Sequence, residues 1–161
     1  MPRLYLETSV VSYLASEPSG NEIVAAHQLV TQSWWTDKRH EFEIFVSQKV
    51  IDEISRGDPQ RAKKRLDIVE GLPVLRSTPD VRELMRRLVG PGVLPKKAAA
   101  DALHLSIAVV NGIDFLVTWN CKHLANAHLR RKIEEACRSL GYSPSVICTP
   151  DHLLAEEDGH V

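Results

Sequence analysis

Short apolar runs alternate with stretches of helical periodicity along the whole chain of 161 residues. The runs at Arg3–Leu6, Glu43–Val46, Val74–Arg76, Phe115–Thr118 and Val146–Cys148 have the length and composition of buried strands. Helical patterns fill the intervals near Val10–Ala15, Asn21–Thr36, Gln48–Ser55, Pro59–Glu70, Pro79–Leu88, Lys96–Asn111 and Cys121–Leu140. Glycine and proline punctuate the joints, at Gly57 and Pro59, Gly71 and Pro73, Gly90 to Pro95, Gly112, Gly141 and Pro144. Strands alternating with helices predict right-handed crossovers between parallel neighbours. The expected architecture is therefore α/β, a three-layer α/β/α arrangement around a central, mostly parallel five-stranded sheet.

The length suits one domain with a substantial core, expected over residues 1–150, followed by a short C-terminal tail over 151–161 that carries the acidic run Glu156, Glu157 and Asp158. No internal repeat or interdomain linker interrupts the pattern. A hydrophobic content of 43% and a charged content of 25% are ordinary for a soluble globular protein. The formal charge of −1 gives no general attraction to polyanions, so any nucleic-acid binding has to rely on local patches or metal ions. Cys121, Cys137 and Cys148 are odd in number and lack CxxC spacing, which excludes a disulfide framework or zinc ribbon and fits a reducing cytoplasm. No signal peptide is expected, because Arg3 and Glu7 interrupt the N-terminal apolar stretch. The most apolar helix, Ala98 to Val110, carries Asp101 and His104 and is too short to span a bilayer.

In open parallel sheets, ligands bind beyond the carboxyl ends of the strands. Glu7 stands at the end of the first strand, followed by Thr8 and Ser9, either of which can cap the next helix. A Glu there has an ordinary use, a favourable interaction with the helix dipole of at most about 1 kcal/mol. Asp101 needs more explanation. It lies about a turn inside a helix apolar nearly all round, where an ionised carboxylate is costly unless paired, hydrogen-bonded or metal-bound. His104 shares its face and suits a satisfied or orienting role better than metal ligation. At about 100° per residue, Glu53 falls beside the apolar stripe of Val50, Ile51 and Ile54, while Asp52 faces water. An exposed pairing of Glu53 with Lys49 or Arg56 is its plain alternative. Thr118 and Asn120 end the fourth strand as Glu7 ends the first; Asn120 can equally cap the helix that follows. Three carboxylates meeting at one sheet edge would repel each other unless a cation lay among them, and all-oxygen ligands favour Mg²⁺ or Mn²⁺ over zinc.

The segments "YLETSVVSYL", "VIDEI" and "DALHLSIAVVNGIDFLVTWNCKHL" resemble, in order, those of PIN-domain ribonucleases, the fold of VapC-type toxins in toxin–antitoxin systems. The resemblance spans Arg3 to Pro150 and implies an acidic quartet of Glu7, Glu53, Asp101 and Asn120. It further implies that Glu7, Asp101 and Glu53 hold Mg²⁺ or Mn²⁺, that Ser9 helps hold metal-bound water, and that Thr118 lines the same edge. The first acid of the family is usually Asp and the fourth position often acidic, so Glu7, one methylene longer, and Asn120, neutral, depart from its pattern, and Asn120 leaves the site less negative. The implied activity is metal-dependent endoribonuclease action on RNA by a toxin with an antitoxin protein as partner. The alternative is a PIN-fold RNA- or protein-binding module with a weakened site. A phosphatase- or receiver-type domain ranks below both, since it needs an Asp nucleophile after the first strand, where Glu7 stands.

Arg61, Lys63, Lys64 and Arg65, Lys96 and Lys97, and Arg130, Arg131 and Lys132 are candidate phosphate contacts, or simply solvated helix faces. Trp34 and Trp35 are expected to build core or a protein interface, and the surface around Tyr13, Leu29, Trp34 and Trp35 is the one expected to serve a homodimer or the antitoxin.

Overall fold

The computed structural model describes residues 1–90, 92–124 and 127–154, so the acidic run at Glu156, Glu157 and Asp158 lies outside the described residues. Five strands, β1 (Arg3–Leu6), β2 (Glu43–Ser47), β3 (Val74–Leu75), β4 (Phe115–Val117) and β5 (Val146–Cys148), form one sheet in the order β3-β2-β1-β4-β5. Every pairing is parallel, which sharpens the expected mostly parallel sheet. The chain steps from β1 to β2 and β3 in one direction, then returns past β1 to β4 and β5 in the other. Right-handed crossovers running in opposite directions put their helices on opposite faces.

The helix contacts divide accordingly. On one side α1 (Thr8–Ala15) packs against α2 (Glu22–Lys38), α3 (Gln48–Ile54) and α4 (Pro59–Val69). On the other, α5 (Pro79–Leu88) packs against α6 (Ala99–Val110) and α8 (Ala127–Ser139), with α7 (Cys121–Leu124) beside α8. A final helix, α9 (Pro150–Leu154), lies against α2. The expected helix over Cys121–Leu140 is thus seen as α7 and α8, with 125 and 126 outside the described residues. The expected helix over Lys96–Asn111 is a 3₁₀ turn, Lys96–Ala98, leading into α6; Asp101 consequently sits in the first turn rather than a turn inside.

Side-chain caps fix where most helices on the first face start: Asn21 for α2, Ser47 for α3 and Asp58, with Pro59 behind it, for α4. α6 ends at Gly112, whose φ of 69° lets the chain turn back toward β4. The core is centred on β1, whose Leu4, Tyr5 and Leu6 are wholly buried between the two helical layers. α6 lies nearly as deep, with Ala102, Leu105, Ile107, Ala108 and Val109 buried in the core. Cys137 and Cys148 are buried and form no disulfide among the described residues; the side chain of Cys121 lies outside them. No helix of the described residues is long and apolar enough to cross a membrane.

Trp34 departs from the expected surface role. Trp34 is 0% exposed and packs at tilted angles on Trp35 and Phe42, with ring centroids 6.0 and 6.2 Å away. Its position on the inner face of α2 makes it core, and the large exposed apolar residues on that helix are Ile23 and Leu29. Trp34→Ala should therefore act as a cavity mutation, costing about 3–5 kcal/mol of folding stability at any protein concentration. Urea denaturation at several concentrations checks this: a loss that appears only where the protein associates would return Trp34 to an interface.

Candidate active site

β1 ends at Leu6, and Glu7 continues in extended conformation to become the N-cap of α1. The capping expected of Thr8 or Ser9 is done by Glu7 itself, whose Oε1 accepts the Ser9 backbone N–H at 3.0 Å. The same oxygen accepts from the Ser9 hydroxyl and, at 2.7 Å, from the Thr118 hydroxyl. Parallel pairing explains the meeting with Thr118. Leu6 lies opposite Val117, so the residues that follow each strand emerge side by side. The Glu7 N–H donates to the Val117 carbonyl at 3.2 Å. Three donors on Oε1 hold this buried carboxylate rigidly, and the described residues give Oε2 no hydrogen-bond partner.

The network continues through the end of β4. The Ser9 hydroxyl accepts the Trp119 backbone N–H at 2.9 Å, and Thr118 Oγ1 accepts the Asn120 N–H at 2.9 Å. Asn120 Nδ2 in turn donates to Oδ1 of Asp101 at 2.6 Å. Asp101 is 8% exposed, so this amide satisfies part of a buried carboxylate. The side chains expected at Glu7, Ser9, Asp101, Thr118 and Asn120 are therefore linked in one chain of contacts.

Glu53 belongs to a second chain that meets the first at the start of α1. Its Oε1 accepts from the Thr8 hydroxyl at 2.6 Å and pairs with Nε2 of His104 at 2.7 Å, while Lys49 Nζ stands 3.7 Å from Oε2. Burial alone would raise the Glu53 pKa, but the hydrogen bonds from His104 and Thr8, helped by the electrostatic attraction of His104 and Lys49, prevail and lower it to about 2. His104 Nδ1 is 2.6 Å from the Tyr5 hydroxyl, which is 2.6 Å from Oγ of Ser47. Both ring nitrogens of His104 are thus engaged by protein groups. Thr8 and Tyr5 are contributors that sequence reasoning took for a possible cap and part of a buried strand, and Ser47 fell in the joint between an expected strand and helix. One signal was legible: a tyrosine at the centre of a buried strand must find a partner for its hydroxyl.

The donor set suits a hard divalent cation, being carboxylates and an amide with anchored orientations. Among the described residues, however, no three His, Cys, Asp or Glu side chains are arranged to hold a metal ion together. The basic candidates are mostly occupied at the surface. Lys63 pairs with Asp67, Lys64 with Glu17 and Arg131 with Glu135, and Arg65 caps the end of α3 through the carbonyls of Ile54 and Arg56.

No protein-family model matches the sequence, and no curated protein matches it either. Solved structures do. VapC20 from Mycobacterium tuberculosis, a sarcin-ricin loop cleaving toxin, is similar with a TM-score of 0.58 and 17% identity, over 76% of this chain and 93% of that one. VapBC2 from Rickettsia felis, solved bound to a DNA fragment from its promoter, is similar with a TM-score of 0.51 and 17% identity, over 78% of this chain and 94% of that one. The chain has the fold of VapC-type PIN-domain toxins.

In this PIN-like sheet the strand order reverses between β1 and β4, which makes the crevice at their carboxyl ends the topological switch point where open α/β sheets bind ligands. Glu7, Thr118 and Asn120 follow directly from those two strands. The lowered pKa of Glu53 has a consequence for stability. A carboxylate whose folded pKa lies below its unfolded one stabilises the fold fully above the unfolded value and loses that contribution as pH falls through the folded value. Wild type should thus be more stable than Glu53→Gln at neutral pH, and the gap should shrink as pH drops from about 4.5 toward about 2. Urea denaturation of both proteins across that range checks the sign; a gap that widens on acidification would contradict it.

Proposed function

We propose that this protein is a metal-dependent endoribonuclease, the toxin of a toxin–antitoxin pair, acting at the carboxyl edge of its sheet. The observation carrying this reading is the placement of anchored carboxylates from β1, α3 and α6 around the switch point of a fold shared with a sarcin-ricin loop cleaving toxin. Glu7 and Asp101 would hold Mg²⁺ or Mn²⁺ directly, and Glu53 through water. Such an ion supplies Lewis-acid stabilisation of the phosphodiester and a more acidic water. Glu53, with its pKa near 2, stays ionised at neutral pH but is a weak base, so it orients a water rather than removing its proton. Ser9 and Thr118 act on Glu7, keeping Oε1 fixed and Oε2 directed outward. Asn120 fixes Asp101 in the same way. These three are positioning groups rather than ligands.

The similarity to VapBC2 supports an antitoxin as partner, and Ile23 and Leu29 on α2 replace Trp34 as the apolar contacts available to it or to a second copy of the chain. A cytoplasmic site of action follows from this reading. A second reading, a PIN-fold module that binds RNA without cutting it, is favoured by the absence of a ready three-ligand cluster among the described residues.

A defined RNA pool incubated with the protein in Mg²⁺, Mn²⁺ or EDTA separates the two. Cleavage should require the cation and fall by orders of magnitude in Asp101→Asn and Glu7→Gln, while Glu7→Asp, closer to the usual ligand of the family, keeps activity. RNA binding without cleavage under every condition would support the binding module. Millimolar Mn²⁺ should also raise the melting temperature of wild type well above any shift in Asp101→Asn, since binding to the native state stabilises by mass action. Equal shifts would place the cation elsewhere.

A further inference from the structure

We propose that Ser47, Tyr5 and His104 form a one-directional hydrogen-bond relay that presents the Nε2–H of His104 to the Glu53 carboxylate and thereby positions it. The polarity follows from the two ends. At one, the Val50 backbone N–H, which can only donate, lies 3.1 Å from Ser47 Oγ. At the other, the ionised Glu53 carboxylate, which can only accept, lies 2.7 Å from His104 Nε2. Nε2 therefore carries a proton, and a lone pair at Nδ1 is what completes the chain. The Tyr5 hydroxyl must donate to it across 2.6 Å. Having spent its proton, the Tyr5 oxygen accepts from the Ser47 hydroxyl, also at 2.6 Å, and Ser47 accepts from Val50. Every donor meets an acceptor. The reverse order would set an Nε2 lone pair against a carboxylate oxygen and leave the Ser47 proton without an acceptor among these groups.

Burial makes this arrangement hard to replace. Tyr5 and Ser47 are 0% exposed and His104 2%, so bulk water has no access to substitute for a missing link. Burial, partly offset by the Ser47 hydrogen bond, also pushes the Tyr5 phenol far above its ordinary pKa, so its proton remains in place. The relay begins and ends on α3, at Val50 and Glu53, and passes through β1 and α6 between them. It therefore locks the helix bearing Glu53 to the strand that delivers Glu7 and to the helix that carries Asp101 one turn before His104. Tyr5 and His104 are positioning residues, and their catalytic consequence rests on the ribonuclease reading above.

Two measurements test this. Long-range ¹H–¹⁵N spectra of the wild-type protein at neutral pH, without metal or RNA, should show His104 protonated at Nε2 alone. Tyr5→Phe, which keeps shape but breaks the relay, should lower kcat on a defined RNA roughly 10- to 100-fold with KM unchanged, the usual scale for losing an outer-shell partner. A His104 protonated at Nδ1, or doubly, overturns the relay; so does an unchanged kcat in Tyr5→Phe. If wild type cuts no RNA, the ribonuclease reading fails on its own, and the His104 spectrum still decides the relay.

Discussion

The pairing of β1 with β4 is the constraint on which the site depends. Because these strands are parallel and Leu6 lies opposite Val117, their carboxyl ends finish level and release Glu7 and Thr118 side by side. Everything on the first chain of contacts follows from that register: Thr118 onto Glu7, Ser9 onto both strand ends, Asn120 onward to Asp101. A shift of one residue would turn Thr118 to the other face of the sheet and separate these groups. The register is held in turn by the apolar residues of β1, which have helices over both faces and no solvent side to slip toward.

Gathering carboxylates at one edge has an electrostatic cost, and the structure meets part of it with neutral donors. Glu7 is held by a backbone N–H and two hydroxyls, Asp101 by an amide, Glu53 by a hydroxyl and an imidazole. Lys49 adds a cation 3.7 Å from Oε2 of Glu53. Hydrogen bonds of this kind favour the charged form of each acid without cancelling its charge.

The strand order gives that edge its position. A chain that moves outward from β1 in one direction and then in the other leaves a gap between the helical layers where the directions diverge, and the acids sit at its mouth. The aromatic cluster nearby serves the same region: Trp119, stacked on His27 at 4.1 Å and donating its indole N–H to Thr31 at 2.8 Å, ties the end of β4 to α2.

The sequence alone determined the alternation of strands and helices, and with it the parallel sheet, because the apolar periodicities of buried strands and helices are local properties. It also marked Glu7, Glu53 and Asp101, since each is an acid at the margin of an apolar pattern. Trp34 shows where such reading stops. Its periodicity fits core or surface equally, and only the seating of α2 against the sheet buried it. The strand order, the capping by Glu7 and the contacts of Tyr5, Ser47 and Thr8 were likewise decided by tertiary structure. Hydrogen bonds between residues 42, 45 or 99 positions apart depend on which strands become neighbours, and no local pattern encodes that choice.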